Sequence, residues 1–410
     1  MTRCTLITMR TRALLAGIGI VLVPALAGCG SDGVGQVPTG STAVSAPVKV
    51  SSGRLAVEEV AGGLSHGWDI GFLPDGKVLV TQRPAKIALM SSTRPGASVT
   101  EVAMDLSSVQ VRGEGGLMGM VVHPDFGTSR QFTTCQTHQE GGRPVDIRLI
   151  TWRLADDGAS AAKVRDLLTG LPLNASGRHS GCRPTIAADG TLLVGTGDVA
   201  RPANSQDMTS LGGKVLRLDL KTGAAPADNP FADSPEPRTK LVYTFGHRNV
   251  QGVAIRPGDG RVFTAEHGPE QNDEVNLLRA GANYGWDPAK GGTEDSYDES
   301  VPMTDLRRFP DAVAAKWQSG PTTEAVCAAE FLAGAHWGDL QGALVVTALK
   351  GAKLLLLRLD ADGDVTSVSV PSEFDDTFGR LRAARTGPDG ALYVTTTNGA
   401  DDKLLRVTPE

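Results

Sequence analysis

Six times between residues 72 and 394 an apolar run breaks at a tight polar turn and resumes as a second apolar run. The first copy is Phe72-Leu73-Pro74-Asp75-Gly76-Lys77-Val78-Leu79-Val80. The form returns at Val122-His123-Pro124-Asp125-Phe126 with Phe132-Thr133-Thr134, and at Ile186-Ala187-Ala188-Asp189-Gly190-Thr191-Leu192-Leu193-Val194. It returns again at Ile255-Arg256-Pro257-Gly258-Asp259-Gly260-Arg261-Val262-Phe263. A weaker copy is Gly338-Asp339-Leu340-Gln341-Gly342-Ala343-Leu344-Val345-Val346, and the last is Gly387-Pro388-Asp389-Gly390-Ala391-Leu392-Tyr393-Val394. Proline presets φ and glycine accepts positive φ, so each copy predicts a β-hairpin. The turn aspartates stand 50, 64, 70, 80 and 50 residues apart. A generic β-sandwich has no reason for so long a period, whereas propeller blades with variable loops do. The pattern therefore predicts an all-β, six-bladed β-propeller over residues 55–410. Leu55-Ala56-Val57-Glu58-Glu59-Val60 is expected to add a strand to the last blade and close the ring. No long amphipathic helical pattern interrupts it.

Upstream of the repeats the pattern changes. Arg3, Arg10 and Arg12 precede an apolar run from residue 13 to residue 28. The run is too short for a comfortable membrane span. It ends in Leu26-Ala27-Gly28-Cys29, which resembles a bacterial lipoprotein signal, although an ordinary signal peptide with an incidental cysteine has the same outline. Residues 1–28 are expected to be the signal peptide and Cys29 the lipidated residue. Residues 29–54 hold Gly, Ser, Thr, Val and Pro with almost no charge and read as a flexible tether. The expected location is the extracytoplasmic face of the cell membrane, held there by the lipid.

Composition narrows the class. Among 410 residues are 50 glycines, with 5% aromatic and 21% charged residues, a globular and turn-rich balance. The formal net charge is -6, and loss of the three signal arginines makes it -9 (-6 - 3). An acidic chain without a basic face is not a nucleic-acid binder. Of five cysteines, Cys4 goes with the signal and Cys29 with the lipid. That leaves Cys135, Cys182 and Cys327 in an oxidising compartment. Three thiols allow one internal pair, and the strand placement points to Cys135 and Cys182. Cys327 has no assigned role, and none has zinc-ligand spacing.

The densest polar stretch is Gly246-His247-Arg248-Asn249, then Glu266-His267-Gly268-Pro269, Asn272-Asp273-Glu274-Val275-Asn276 and Asn283-Tyr284-Gly285-Trp286. Four other loops next to the hairpins stand out: Gly113-Glu114-Gly115-Gly116-Leu117-Met118-Gly119, Arg178-His179-Ser180-Gly181-Cys182-Arg183, Lys350, and Gly379-Arg380-Leu381-Arg382. Each has a bland reading by itself. A glycine loop can be a tight connection, a lone histidine is commonly structural, and a turn lysine is commonly solvated. Arg380 and Arg382, two apart on a strand, share one face and could grip one anion.

Taken together and in order, these segments resemble the soluble quinoprotein sugar dehydrogenases, which use pyrroloquinoline quinone (PQQ). Further matching motifs are Gly63 to Trp68, Gly195-Thr196-Gly197-Asp198 and Asn229-Pro230-Phe231. The resemblance implies oxidation of an aldose at its anomeric carbon to a lactone. His179 would be the general base, and Arg248 would stabilise charge on a quinone oxygen. Asn249, Lys350, Arg380 and Arg382 would hold the cofactor, with Glu114 standing where a glutamine often contacts it. Gly268 and Pro269 would offer carbonyls to a Ca²⁺ at the quinone, and Glu274 and Tyr284 would help bind a second, structural Ca²⁺. Glu266 and Asp273 could equally serve as structural hydrogen-bonding groups. The electron acceptor is not identifiable from the residues. Three departures stand out: Ser180-Gly181-Cys182-Arg183-Pro184 after the histidine, Glu114, and Asp287 between Trp286 and Pro288. The alternative reading is a non-catalytic sugar- or ligand-binding propeller lipoprotein. A metal-dependent lactonase fits worse, because four cations would repel an axial metal.

Overall fold

The computed structural model describes residues 54–291 and 296–410. The expected signal, Cys29 and the tether as far as residue 53 lie outside the described residues. The rest forms six four-stranded sheets, each antiparallel, arranged as the blades of a propeller. The inner strands of blades 1 to 6 are Gly67–Phe72, Leu117–Val122, Arg183–Ile186, Val250–Ile255, Val326–Phe331 and Leu381–Thr386. Each touches the inner strand of the next blade, and the sixth meets the first. The Pro-Asp-Gly turn does what its chemistry suggests: Phe72 pairs with Val78 across it, with Gly76 at φ 83°.

The sixth blade takes its outermost strand from the start of the domain. Leu55–Leu64 runs antiparallel to Asp402–Pro409, with Leu55 opposite Pro409 and Leu64 opposite Asp402. Hydrogen bonding between the two ends of the domain thus closes the ring.

Burial explains why the strands read as continuous apolar runs rather than as an alternation. Each sheet is covered on both faces by neighbouring blades, so successive side chains enter different cores. Val78 and Val80 pack between blades 6 and 1, whereas Leu79 between them packs between blades 1 and 2. Leu192 and Val194 face blade 2, and Leu193 faces blade 4. Each such buried aliphatic side chain contributes about 1.5–3 kcal/mol. A disulfide joins Cys135 of blade 2 to Cys182 at the mouth of blade 3. Its 47-residue separation implies about 4 kcal/mol of lost unfolded-state entropy.

All six inner strands start at one end of the ring and run toward the Pro-Asp-Gly-type turns at the other. The polar loops singled out in the sequence precede or flank those starts. Distant segments therefore converge at one end.

Candidate active site

His179 sits on the loop that leads into blade 3, at φ 48° and 4% exposed. The loop lies so close to Gly197 that a Cβ there would strike the His179 carbonyl, which only glycine avoids. Nδ1 of His179 lies 2.8 Å from Asp198 Oδ1. Asp198 also accepts from Trp286 Nε1 at 2.8 Å, Tyr297 Oη at 2.6 Å and Ala200 N at 2.8 Å. Facing so well-supplied an acceptor, Nδ1 carries the imidazole proton and Nε2 is left as the basic nitrogen. Among the described residues Nε2 has no hydrogen bond. Burial, and then the charge of Asp198, raises the Tyr297 hydroxyl well above its ordinary value, so it stays a donor.

Arg248 is 3% exposed at the mouth of blade 4. Its Nη1 donates to the carbonyls of His267 and Gly268 at 2.8 and 2.9 Å, and its Nη2 donates to Glu299 at 2.5 Å. Its Nε is buried without a partner. Glu266 anchors this corner: one carboxylate oxygen takes the Arg248 backbone N–H and the other lies 2.8 Å from His247 Nδ1. Asp273 holds the neighbouring turn by accepting from Gly268 N, Thr323 Oγ1 and Glu324 N. Both acids accept several hydrogen bonds that fix the backbone of these turns.

Glu114 and Asn249 meet across the ring, Asn249 Nδ2 donating to the carboxylate at 3.0 Å. Glu114 also takes His179 N at 3.0 Å and Gln251 Nε2 at 3.3 Å. Burial pushes this carboxyl up, but His179, His267 and the N–H donors outweigh it and hold it below its usual range. Its charge is thus consumed inside the site. The glycines around it serve backbone packing, because a Cβ on Gly113 would meet Ser176 O and one on Gly116 would meet Arg83 O.

The family described as Glucose / Sorbosone dehydrogenase matches residues 64–406. The chain belongs to this family. It is 29% identical to the aldose sugar dehydrogenase YliI of Escherichia coli K12 over 361 residues, covering 86% of this chain and 92% of that one. It is 31% identical to quinoprotein glucose dehydrogenase B of Acinetobacter calcoaceticus over 251 residues, 54% of this chain and 50% of that one. The solved PQQ-bound aldose sugar dehydrogenase of Streptomyces coelicolor superposes with a TM-score of 0.69 at 26% identity, over 88% of this chain and all of that one. The protein is thus an oxidoreductase of the sugar dehydrogenase type.

Several cations stand near the same loops. Arg382 is buried, its Nη1 3.5 Å from Cys327 Sγ and its guanidinium 5.4 Å from the Trp68 ring. Arg83, which no sequence pattern marks, and Arg380 are both drawn below their ordinary values, first by burial and then by Arg382. Among the described residues no carboxylate lies within ion-pair distance of these three. A crowd of guanidiniums without a counter-charge, together with the orphaned Nε of Arg248, fits an anion with several acceptor groups, and a tricarboxylate quinone is one. Lys350 is exposed at the turn between Leu344–Ala348 and Leu354–Leu359. No hydrogen bond or ion pair among the described residues joins its side chain to the others.

Two places bear on calcium. At Gly268-Pro269 one carbonyl already serves Arg248, and Pro269 O is the oxygen without a partner among the described residues. The second place is one face of blade 4. Thr264 lies opposite Asn276, Glu266 opposite Glu274, and Glu274 opposite Gln318. Alternate positions share a face, so these polar side chains form one patch. Burial, and then the charge of Glu266, pushes the Glu274 carboxyl up to about 8. Asn276 Oδ1 and Thr264 Oγ1 are buried without partners. Among the described residues no three His, Cys, Asp or Glu cluster with metal-binding geometry. Two carboxylates with orphaned amide and hydroxyl oxygens nevertheless suit a hard cation. The Tyr284 hydroxyl is already used, donating to Leu277 O at 2.8 Å and accepting from Arg279 N at 2.9 Å. Tyr284 borders this patch through its ring, which stacks on His247 at 4.6 Å.

Asp198 stood inside a matching motif but drew no role from it. Arg83, Tyr297 and Glu299 carried no sequence signal at all.

Proposed function

We propose that the protein oxidises an aldose at the anomeric carbon to its lactone, using PQQ and Ca²⁺. The carrying observation is the His179–Asp198 pair, whose Nε2 has no hydrogen bond among the described residues and lies at the same end of the ring as guanidiniums that no described carboxylate pairs. His179 Nε2 takes the proton of the anomeric hydroxyl, while Asp198 holds Nδ1–H and stabilises the imidazolium that results. When bound, PQQ supplies the acceptor for the hydride on the same carbon, and a Ca²⁺ at Gly268 and Pro269 makes that quinone more electrophilic. Arg248 is preorganised to stabilise negative charge developing beside it. Asn249, Lys350, Arg380, Arg382 and, added by its position, Arg83 hold carboxylates and carbonyls of the cofactor. Glu274, with Glu266, Asn276 and Thr264, holds a second Ca²⁺ beside Tyr284. Cys29 tethers the domain by lipid to the outer face of the membrane, where an electron acceptor takes up the reducing equivalents. Among the described residues no helix is long and apolar enough to cross a membrane.

The test is dye reduction by the purified protein with added PQQ and Ca²⁺ across a panel of aldoses. Turnover with at least one sugar is expected. No turnover together with no PQQ-dependent spectral change would overturn the reading. His179→Ala should keep PQQ binding and lose about 10²- to 10⁴-fold in turnover. Normal turnover in that variant would remove His179 from the role of base.

A further inference from the structure

Glu299 comes from the long connection between Glu274–Leu277 and Trp317–Gln318 of blade 4, far from the hairpin repeats. Its side chain is 38% exposed, yet it reaches the nearly buried Arg248 at 2.5 Å. The same oxygen, Oε1, accepts from Arg178 Nη2 at 3.0 Å. Two residues earlier, Tyr297 lays its ring 5.7 Å from that of His179 and 6.1 Å from that of Trp286. The arm therefore places a hydroxyl on the His179–Asp198 pair and a carboxylate on Arg248. Burial pushes Glu299 up, but its hydrogen bond to Arg248 and the charges of Arg248 and Arg178 outweigh this and keep it ionised. The Arg248 guanidinium has no other acidic hydrogen-bond partner among the described residues; its Nη1 donates to the carbonyls of His267 and Gly268.

We propose that Glu299 is the internal competitor of the anionic cofactor for Arg248. It neutralises that guanidinium in the empty protein and yields it when PQQ loads, so the carboxylate sets cofactor affinity. The inference rests on the PQQ reading above. Its physical basis is that one side of a buried guanidinium cannot be neutralised twice. A carboxylate left beside a tricarboxylate also costs like-charge repulsion in a site of low effective dielectric.

The experiment titrates PQQ, at fixed Ca²⁺, into wild type, Glu299→Gln and Glu299→Asp, following quenching of tryptophan fluorescence, with melting temperatures measured in parallel. Glu299→Gln should bind PQQ more tightly, by on the order of 10-fold. It should also melt lower when empty, because Arg248 has lost its counter-charge, and gain a larger melting shift on loading. Glu299→Asp, whose shorter carboxylate retreats from Arg248, should bind with intermediate affinity. Arg178→Ala, which loosens the tether on Glu299, should move affinity in the same direction by less. A merely structural Glu299 predicts instead equal melting losses with and without PQQ and no gain in affinity, and that result overturns the proposal. Wild type and variants that all fail to bind PQQ overturn the functional reading along with it. Binding by wild type with no tightening in Glu299→Gln overturns this inference alone.

Discussion

Arg183 and Arg385 pair with Asp69, whereas Arg83 and Arg380 each feel the like charge of Arg382. Arg183, Arg382 and Arg385 lie on inner strands of the ring. In the first group, Asp69 Oδ2 is 3.0 Å from Arg183 Nη1, and its two oxygens take Arg385 Nε and Nη2 at 3.1 and 3.2 Å. That carboxylate is fully buried and joins blades 1, 3 and 6. In the second group Arg382 is buried, Arg83 half-buried and Arg380 exposed, and among the described residues no carboxylate lies within ion-pair distance of them. The same residue type is thus structural where its charge is matched inside the protein, and available to a ligand where it is not. Between these two groups the difference is pairing rather than residue type, whereas Arg248 is paired with Glu299 and still belongs to the site.

The largest expected effect is on the matched group. Asp69→Asn removes the carboxylate that Arg183 and Arg385 share, leaving Arg385 only the charge of Glu330, and should cost about 3–5 kcal/mol, read from the denaturant midpoint. A loss under about 1 kcal/mol would mean that the pairing does not pin the blades together. Next comes the unmatched group. Arg382→Ala should weaken PQQ binding by about 10- to 100-fold while changing stability by less than about 1 kcal/mol. Equal losses of stability and affinity would erase the distinction between the groups.

Acid probes the same contrast more gently. Burial raises the Asp69 carboxyl, but Arg183 and Arg385 override it and hold it below its ordinary value. The stability this contributes is present above the unfolded carboxylate value, near pH 4, and is lost as pH falls through the lower folded value. Melting temperature should therefore fall below about pH 4, and Asp69→Asn should flatten that dependence. Salt should act least. Raising the ionic strength from 0.15 M to 1 M should weaken PQQ binding by a few fold through the exposed Arg380 and Lys350, with less change in stability. An affinity insensitive to salt would remove those two side chains from the cofactor's grip.

How much of this was legible depends on range. The six hairpins could be read because Pro, Asp, Gly and flanking apolar runs act over about nine residues. The closing strand could be read as well, since Leu55-Ala56-Val57 has strand character by itself. His179, Arg248, Asn249 and Glu114 were marked by motifs, and the structure brings them together at one end. Lys350 was marked in the same way, and its side chain is exposed with no hydrogen bond or ion pair to them among the described residues. Tyr284 was marked as a metal neighbour, yet its hydroxyl is occupied by the backbone. Arg83 and Glu299 were invisible, because a solvated surface charge and a charge folded back over a site look the same along a chain.

The sequence by itself determined the strand-turn-strand unit, its sixfold repetition and the loops that carry chemistry, because backbone torsion preferences and two-sided burial are local. Only the tertiary structure decided which charges are answered. Asp69 and Arg385 lie 316 residues apart and meet because the ring closes. Closure also leaves Arg83, Arg380 and Arg382 without an ion-paired acid among the described residues. Charge balance at a point in space sums over every segment that reaches it, and no local pattern contains that sum.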